Sequence, residues 1–194
     1  MTTAGSTGRS QRLRGPRIEP VKKESWAAEQ RTLLEPLEKA GRLYNVFTTM
    51  GNHAALASAW MTFATHILRR NSLPPRDREI LILRIGWLCR SEYEWAQHVR
   101  IGKTEGLTDD DIRQIAAGPG GPGLSEHDGL LLKAVDELHG DAFISDVTWN
   151  ALARTYDTRQ MMDLVFTVGQ YNLVSMALNS FGVQLDEGLE GFSE

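Results

Sequence analysis

From Glu24 onward, apolar residues recur three and four positions apart, the spacing of one face of a helix, and nowhere do they alternate as on a half-buried strand. The stretch SWAAEQRTLLEPLEKAGRLYNVFTTMGN carries this period with Pro36 inside it, which predicts a short first helix, a break and a turn. In HAALASAWMTFATHILRRN, the residues Ala55, Leu56, Ala59, Trp60, Phe63, Ile67 and Leu68 form one helical stripe that stops at Asn71. SLPPRDREILILRIGWL opens with Pro74 and Pro75 and has charged residues in its first turns, a good helix start. The next periodic run ends at Gly106, and Thr108 followed by acids is the N-cap of a further short helix.

GPGGPGLS is nearly all glycine and proline and predicts a loop, with its Ser125 capping the amphipathic helix SEHDGLLLKAVDELHG. Ser145 and Asp146 start another short helix. The last segment, TRQMMDLVFTVGQYNLVSMALNSFGV, is long and apolar around most of its circumference, so it needs cover on more than one side, in the centre of the fold or at a subunit interface. The pattern is all-α, divided by the glycine loop into a longer first and a shorter second half.

Composition refines this picture. A chain of 194 residues, 41% of them apolar, holds one packed domain with a sizeable core. Residues 1–23 carry Arg9, Arg12, Arg14, Arg17, Lys22 and Lys23 against the single acid Glu19, with few large apolar side chains. Such a segment buries too little surface to offset its ordering entropy, which predicts a flexible basic tail before a helical domain over 24–194. With a net charge of -4 overall, the body is acidic, which argues against a nucleic-acid partner. No apolar run reaches the roughly 18 residues of a membrane span, and the N-terminus has no secretory apolar region, so a soluble cytoplasmic protein without a membrane partner is expected. The single cysteine, Cys89, forms no internal disulfide. His53, His66, His127 and His139 lie in separate segments, and no spacing of histidines and acids marks a metal site.

Candidate chemistry concentrates in CRSEYEWAQH, residues 89–98. At about 100° per residue, Ser91, Glu94 and His98 fall within roughly 60° of one another on a helix, while Cys89 points about 180° away from His98. Two readings share these residues. Ser91 and Glu94 have the spacing of a capping box, which explains both without any chemistry. Alternatively, His98 is an acid/base group near neutrality, oriented by a carboxylate one turn away. Glu79 adds an acid on the very apolar preceding helix, either as a poorly hydrated carboxylate or as an ordinary partner of Arg76, Arg78 or Arg84.

The run LPPRDREILILRIGWLCRSEYEWAQHVRIGKTEGLTDDDI resembles the signature region of the carboxymuconolactone decarboxylase family, which also contains the alkylhydroperoxidase D-like proteins. The likeness covers about residues 40–115, and DLVFTVGQYNLVSMALNSFGV is similar to the family's C-terminal helix. It implies an all-α, alkylhydroperoxidase D-like helical bundle that forms homo-oligomers, trimers or hexamers, with sites near subunit contacts. In the peroxidase branch a glutamate, a CxxC pair and a histidine form a proton relay. Glu79 and His98 match the glutamate and histidine, but Ser91 and Glu94 occupy the two cysteine positions, so no sulfenate or disulfide cycle is available there.

The decarboxylase branch uses no redox pair, and its E-x-x-x-H spacing is met by Glu94 and His98. The resemblance therefore implies a cofactor-free acid/base lyase acting on a small carboxylated lactone or related organic acid, with no metal. His98, Glu94 and Glu79 would carry proton transfer, with Ser91 and Tyr93 as substrate-binding residues. Arg84, Arg90 and Arg100 are available as anchors for an acidic substrate. Two other expectations stand beside it: a peroxidase relying on Cys89 alone with an external thiol, and a non-catalytic helical oligomer.

Overall fold

The computed structural model describes residues 13–192, and among these there are nine α-helices and no strand. They are α1 (Ala28–Lys39), α2 (Asn45–Met50), α3 (Ala54–Arg69), α4 (Pro75–Leu88), α5 (Glu92–Thr104), α6 (Asp109–Ala117), α7 (Glu126–Asp141), α8 (Asp146–Leu152) and α9 (Thr158–Phe181). The caps expected from composition form: Thr108, Ser125 and Ser145 each accept the amide three residues on, and Asp157 does the same for α9. The run 118–125 is the loop between α6 and α7.

Helix α4 lies at the centre, packed by α5, α6, α7 and α9, and every residue from Asp77 to Gly86 is buried. Burial on all sides brings polar side chains inside, and these tie the helices together. The Arg84 guanidinium donates to both oxygens of Asp136 on α7, at 2.7 and 2.9 Å, and to the last carbonyls of α6, Ile115 and Ala116, each at 3.0 Å. Arg76 forks onto Asp128 at 2.8 and 2.9 Å, and Asp77 accepts from Tyr156. Leu81, Leu83, Leu131, Leu132 and Leu164 fill the core between them.

Three sequence expectations change. Pro36 does not break the first helix; α1 runs through it. Both Pro36 and Thr32, the residue whose carbonyl loses its amide, are exposed, so water replaces the missing bond while Leu34 anchors the helix in the core. The apolar stripe of α3 does not face one core: of its members Ile67 is buried, Ala55, Leu56, Ala59 and Phe63 are exposed, and Trp60 and Leu68 line a cavity. Residues 13–23, counted with the flexible tail, lie along the bundle. The amides of Arg17 and Ile18 donate to the Phe181 carbonyl, and that of Val21 to Thr48. The rest of that basic segment, 1–12, lies outside the described residues.

Candidate active site

Helix α4 ends at Leu88, and the chain reverses through Cys89 and Arg90 into α5. Arg90 takes φ 53°, a left-handed conformation that turns the chain sharply. The amide of Ser91 is taken by the Gly86 carbonyl at 2.9 Å. The helices meet closely here: a Cβ built on Gly86 would stand 3.7 Å from the Cβ of Glu94, in ordinary contact. The tight return brings the face of α5 bearing Glu94 and His98 against the middle of α4.

Glu79 meets His98 at this contact. The ring Nδ1 is 2.6 Å from Glu79 Oε2, and Nε2 is 3.1 Å from Glu94 Oε1, one turn back on α5. Relative exposures of 0%, 4% and 6% for Glu79, His98 and Glu94 put the chain of groups inside the protein. Arg78 donates from Nε to the other oxygen of Glu79 at 3.1 Å, and its terminal nitrogen is 3.8 Å from Glu105. The edge-to-face ring of Tyr171 from α9, centroids 4.9 Å apart, fixes the imidazole plane. Burial disfavours charge on His98, but the charge and hydrogen bond of Glu79, followed by those of Glu94, outweigh it and push the pKa up to about 9. Near neutral pH His98 is an imidazolium donating both N–H groups to carboxylates.

One end of this chain of groups is open. Glu94 and His98 lie on the floor of a cavity of about 450 Å³ bounded by α2, α3, α5 and α9, whereas Glu79 stands behind them and does not line it. Among the described residues no hydrogen bond occupies Glu94 Oε2. Phe47, Trp60, Leu68, Ile101 and Val174 form apolar walls, and exposed Arg42, Arg69 and Arg100 stand at the rim.

The sequence-derived residues thus fall into separate places. Glu79, Glu94 and His98 converge. Tyr93 lines the cavity, but its hydroxyl is engaged: it donates to Asp186 at 2.5 Å and accepts from the Val46 amide and from Gln97, each at 3.3 Å. Burial, then the bond to Asp186, pushes the Tyr93 pKa well above the usual phenol range, so it is a wall and a strut. Ser91, expected to bind substrate, does not line this cavity; it is fully buried, and its hydroxyl has no hydrogen-bond partner among the described residues. The capping box with Glu94 does not form either, because the Glu94 carboxylate is drawn to the imidazolium one turn on.

Of the three expected cationic anchors, only Arg100 reaches the cavity. Arg84 is committed to Asp136, and Arg90 faces a small cleft beside Asn179. Arg42, Arg69, Gln97 and Tyr171 were missed. Gln97 stands next to His98 in the sequence, about 100° round the helix from it, and the others come from α1–α2, α3 and α9, with no local signal. Cys89 is on the far side of the α4–α5 turn, where its thiol donates to Asn172 Oδ1 at 3.0 Å and lies 4.0 Å from His139 Nδ1. Among the described residues no group of three His, Cys, Asp or Glu side chains is placed to hold a metal ion. No helix among them is long and apolar enough to cross a membrane.

An all-helical bundle holding a carboxylate–imidazolium–carboxylate chain at the floor of an apolar cavity defines a protein built around buried proton-handling groups. Residues 54–123, from the start of α3 to the loop after α6, match the Carboxymuconolactone decarboxylase family, and the bundle has the alkylhydroperoxidase D-like fold. The alkylhydroperoxidase AhpD core, an uncharacterized peroxidase-related protein from Ralstonia eutropha JMP134, superposes with a TM-score of 0.77 at 15% identity, covering 89% of this chain and 93% of that one. A peroxidase-related protein from Silicibacter sp. TM1040 gives a TM-score of 0.74 at 12% identity, covering 91% and 96%. The debrominase Bmp8 in complex with 2,3,4-tribromopyrrole gives 0.71 at 13% identity, covering 90% and 94%. At such identities these structures share the fold. No curated protein sequence matches the chain.

Proposed function

We propose that the protein is an acid/base enzyme of the decarboxylase type, acting on a carboxylated lactone or related organic acid at a carbon conjugated to a carbonyl. The observation that carries this reading is the unbroken chain of contacts from Glu79 through His98 to Glu94, with Glu94 and His98 both lining the cavity. The family match over residues 54–123 supports an enzyme-like function of this kind.

The chemistry follows from where the charges sit. When the substrate carboxylate leaves as CO2, the electron pair of the broken C–C bond stays on the carbon skeleton and delocalises onto the lactone oxygen. That carbon then takes a proton from Glu94, which draws one from imidazolium His98, and His98 is reprotonated from water. The net reaction consumes one proton and releases CO2. Glu79 holds the imidazole in register and favours its charged form, and Arg78 neutralises the far oxygen of Glu79. A peroxidase relying on Cys89 gains nothing from this site, because the relay does not touch the thiol.

The test is CO2 release from a series of carboxylated lactones and related acids, from compact to aryl-extended, with the product formed in D2O examined for deuterium at the carbon that lost the carboxylate. His98→Ala should abolish turnover while leaving the helical circular dichroism spectrum intact. Equal turnover in variant and parent overturns the reading. No turnover of any such acid by the parent favours the non-catalytic oligomer.

We also propose self-association through α9. Its exposed line, Met162, Phe166, Gly169, Leu173, Met176 and Ser180, repeats every three or four residues and carries no charge over 19 positions, where a solvated helix face would carry several. Nothing lies within 4 Å of a Cβ built on Gly169, which leaves space for close approach of a second helix, and Phe63 from α3 extends the patch by packing edge-on to Phe166. A face of this kind is self-complementary to a second copy of the chain.

A further inference from the structure

We infer that the ligand of this cavity is an extended, largely apolar organic acid whose anchoring anion lies at the opposite end from its reacting carbon. The inference rests on the acid/base reading for the position of the reacting carbon, and on three further observations for the rest.

The first concerns the cations. Arg100 bonds to neutral groups only, Gln97 Oε1 at 2.9 Å and Tyr44 Oη at 3.2 Å, and its guanidinium lies over the Tyr44 ring at 5.4 Å. No carboxylate among the described residues pairs with Arg100, Arg42 or Arg69. By contrast, Arg76, Arg78 and Arg84 elsewhere in the domain are matched to acids. The rim therefore holds positive charge without a countercharge, and one of its guanidiniums is held in place by an aromatic ring and an amide. This is a preorganised seat for a carboxylate or sulfonate.

The second observation is distance. Glu94 and Arg100 stand six residues apart on the same helix, about 9 Å along its axis. Arg100 is exposed and Glu94 only 6% exposed, which sets the cation on the open side of the cavity and the carboxylate on its enclosed side. In a compact lactone acid the carboxylate and the reacting carbon are neighbouring atoms, so one such molecule does not reach both Arg100 and Glu94. A ligand with a body between its anion and its reactive end does.

The third is the wall between them. Phe47, Trp60, Leu68, Ile101 and Val174 present aromatic and branched surface on α2, α3, α5 and α9, and the volume of about 450 Å³ is that of a site for a molecule larger than a single small ring. A polar dicarboxylate would leave that wall facing water, whereas an aryl or branched alkyl body buries it.

Binding can be read without turnover, which separates this inference from the proposed reaction. Isothermal titration calorimetry on the full chain would compare naphthylacetate, the matching neutral naphthylethanol and succinate. Naphthylacetate should bind at least tenfold more tightly than succinate, and Arg100→Gln should weaken naphthylacetate about tenfold while leaving naphthylethanol unchanged. Trp60→Ala should weaken both naphthyl ligands. Arg100 is exposed and Trp60 half-buried, and circular dichroism would confirm that each variant folds. Succinate binding as tightly as naphthylacetate, or equal losses for the acid and the alcohol in Arg100→Gln, overturns the inference and leaves the acid/base reading standing. Intact binding with full turnover in His98→Ala does the reverse.

Discussion

Glu79 and His98 are separated by 19 positions in the chain and by 2.6 Å in the fold, and this contact makes the imidazole a cation at neutral pH. Everything proposed for the cavity floor depends on it, because a neutral imidazole would hold only one of its two carboxylates as a donor.

The contact ties stability to pH. The folded-state pKa of His98, about 9, lies above the ordinary value of 6.5, so the stabilisation is fully present below pH 6.5 and is lost as pH rises through about 9. Its size is on the order of 3 kcal/mol. Urea unfolding midpoints should be flat from pH 6 downward to the onset of carboxylate titration and fall between roughly pH 7 and 9. Glu79→Gln should flatten that fall and lower the pKa of the ring. An NMR titration in which His98 of the parent titrates near its ordinary value would contradict the assignment.

Replacing Glu94 tests the open end of the relay. Glu94→Gln keeps the shape and removes the proton carrier, so turnover should drop by about 10²- to 10⁴-fold. Glu79→Gln should cost less at low pH, where the imidazole is charged regardless, and more as pH rises. Parallel pH–rate profiles for the two variants would show that both carboxylates only position the ring.

Cys89 offers a contrasting result. Its thiol meets Asn172 and His139 on the far side of the α4–α5 turn, so Cys89→Ser should leave turnover of the acid within a factor of about two and shift stability by less than roughly 1 kcal/mol. Loss of activity after alkylation of this thiol, with the fold intact, would move the chemistry to sulfur.

The segment after α9 braces the cavity. Asp186 accepts from the Asn45 amide at 2.8 Å, from Tyr93 at 2.5 Å and from Gln97 at 2.6 Å, and Gln97 in turn accepts from Arg100. Asp186→Ala leaves these buried donors unmet and should destabilise the protein by about 1–3 kcal/mol. Because Gln97 also holds the guanidinium of Arg100, naphthylacetate affinity should fall as well. A stability loss with unchanged affinity would reduce Asp186 to a purely structural brace.

For the α9 face, Leu173→Glu should convert the assembly to a monomer in sedimentation velocity while leaving the circular dichroism spectrum unchanged, since position 173 is half-exposed in the single chain. A parent protein that already sediments as a monomer at micromolar concentration would remove the self-association proposal.

Much of the helical layout was legible in the sequence because its causes are local. Three-and-four spacing, Pro75 at a helix start, Thr108, Ser125 and Ser145 as caps and the glycine run after α6 act within one or two turns. The same locality placed Glu94 and His98 on one face of α5. It failed where a neighbour decides: Ser91 and Glu94 have capping-box spacing, but a buried imidazolium competes for the carboxylate and wins. Leu56 and Phe63 have core spacing, yet α3 turns them outward.

By itself, then, the sequence determined that this protein is a helical bundle with an acid and an imidazole one turn apart on α5, since helical period and capping depend on near neighbours along the chain. Only the tertiary structure decided that Glu79 comes within 2.6 Å of His98, that the imidazole is held in its charged form, and that Arg42, Arg69 and Arg100, which pair with no carboxylate among the described residues, stand around an apolar cavity. Those outcomes depend on how close two helices come and how much water is left between them, and that is set by the packing of the whole core.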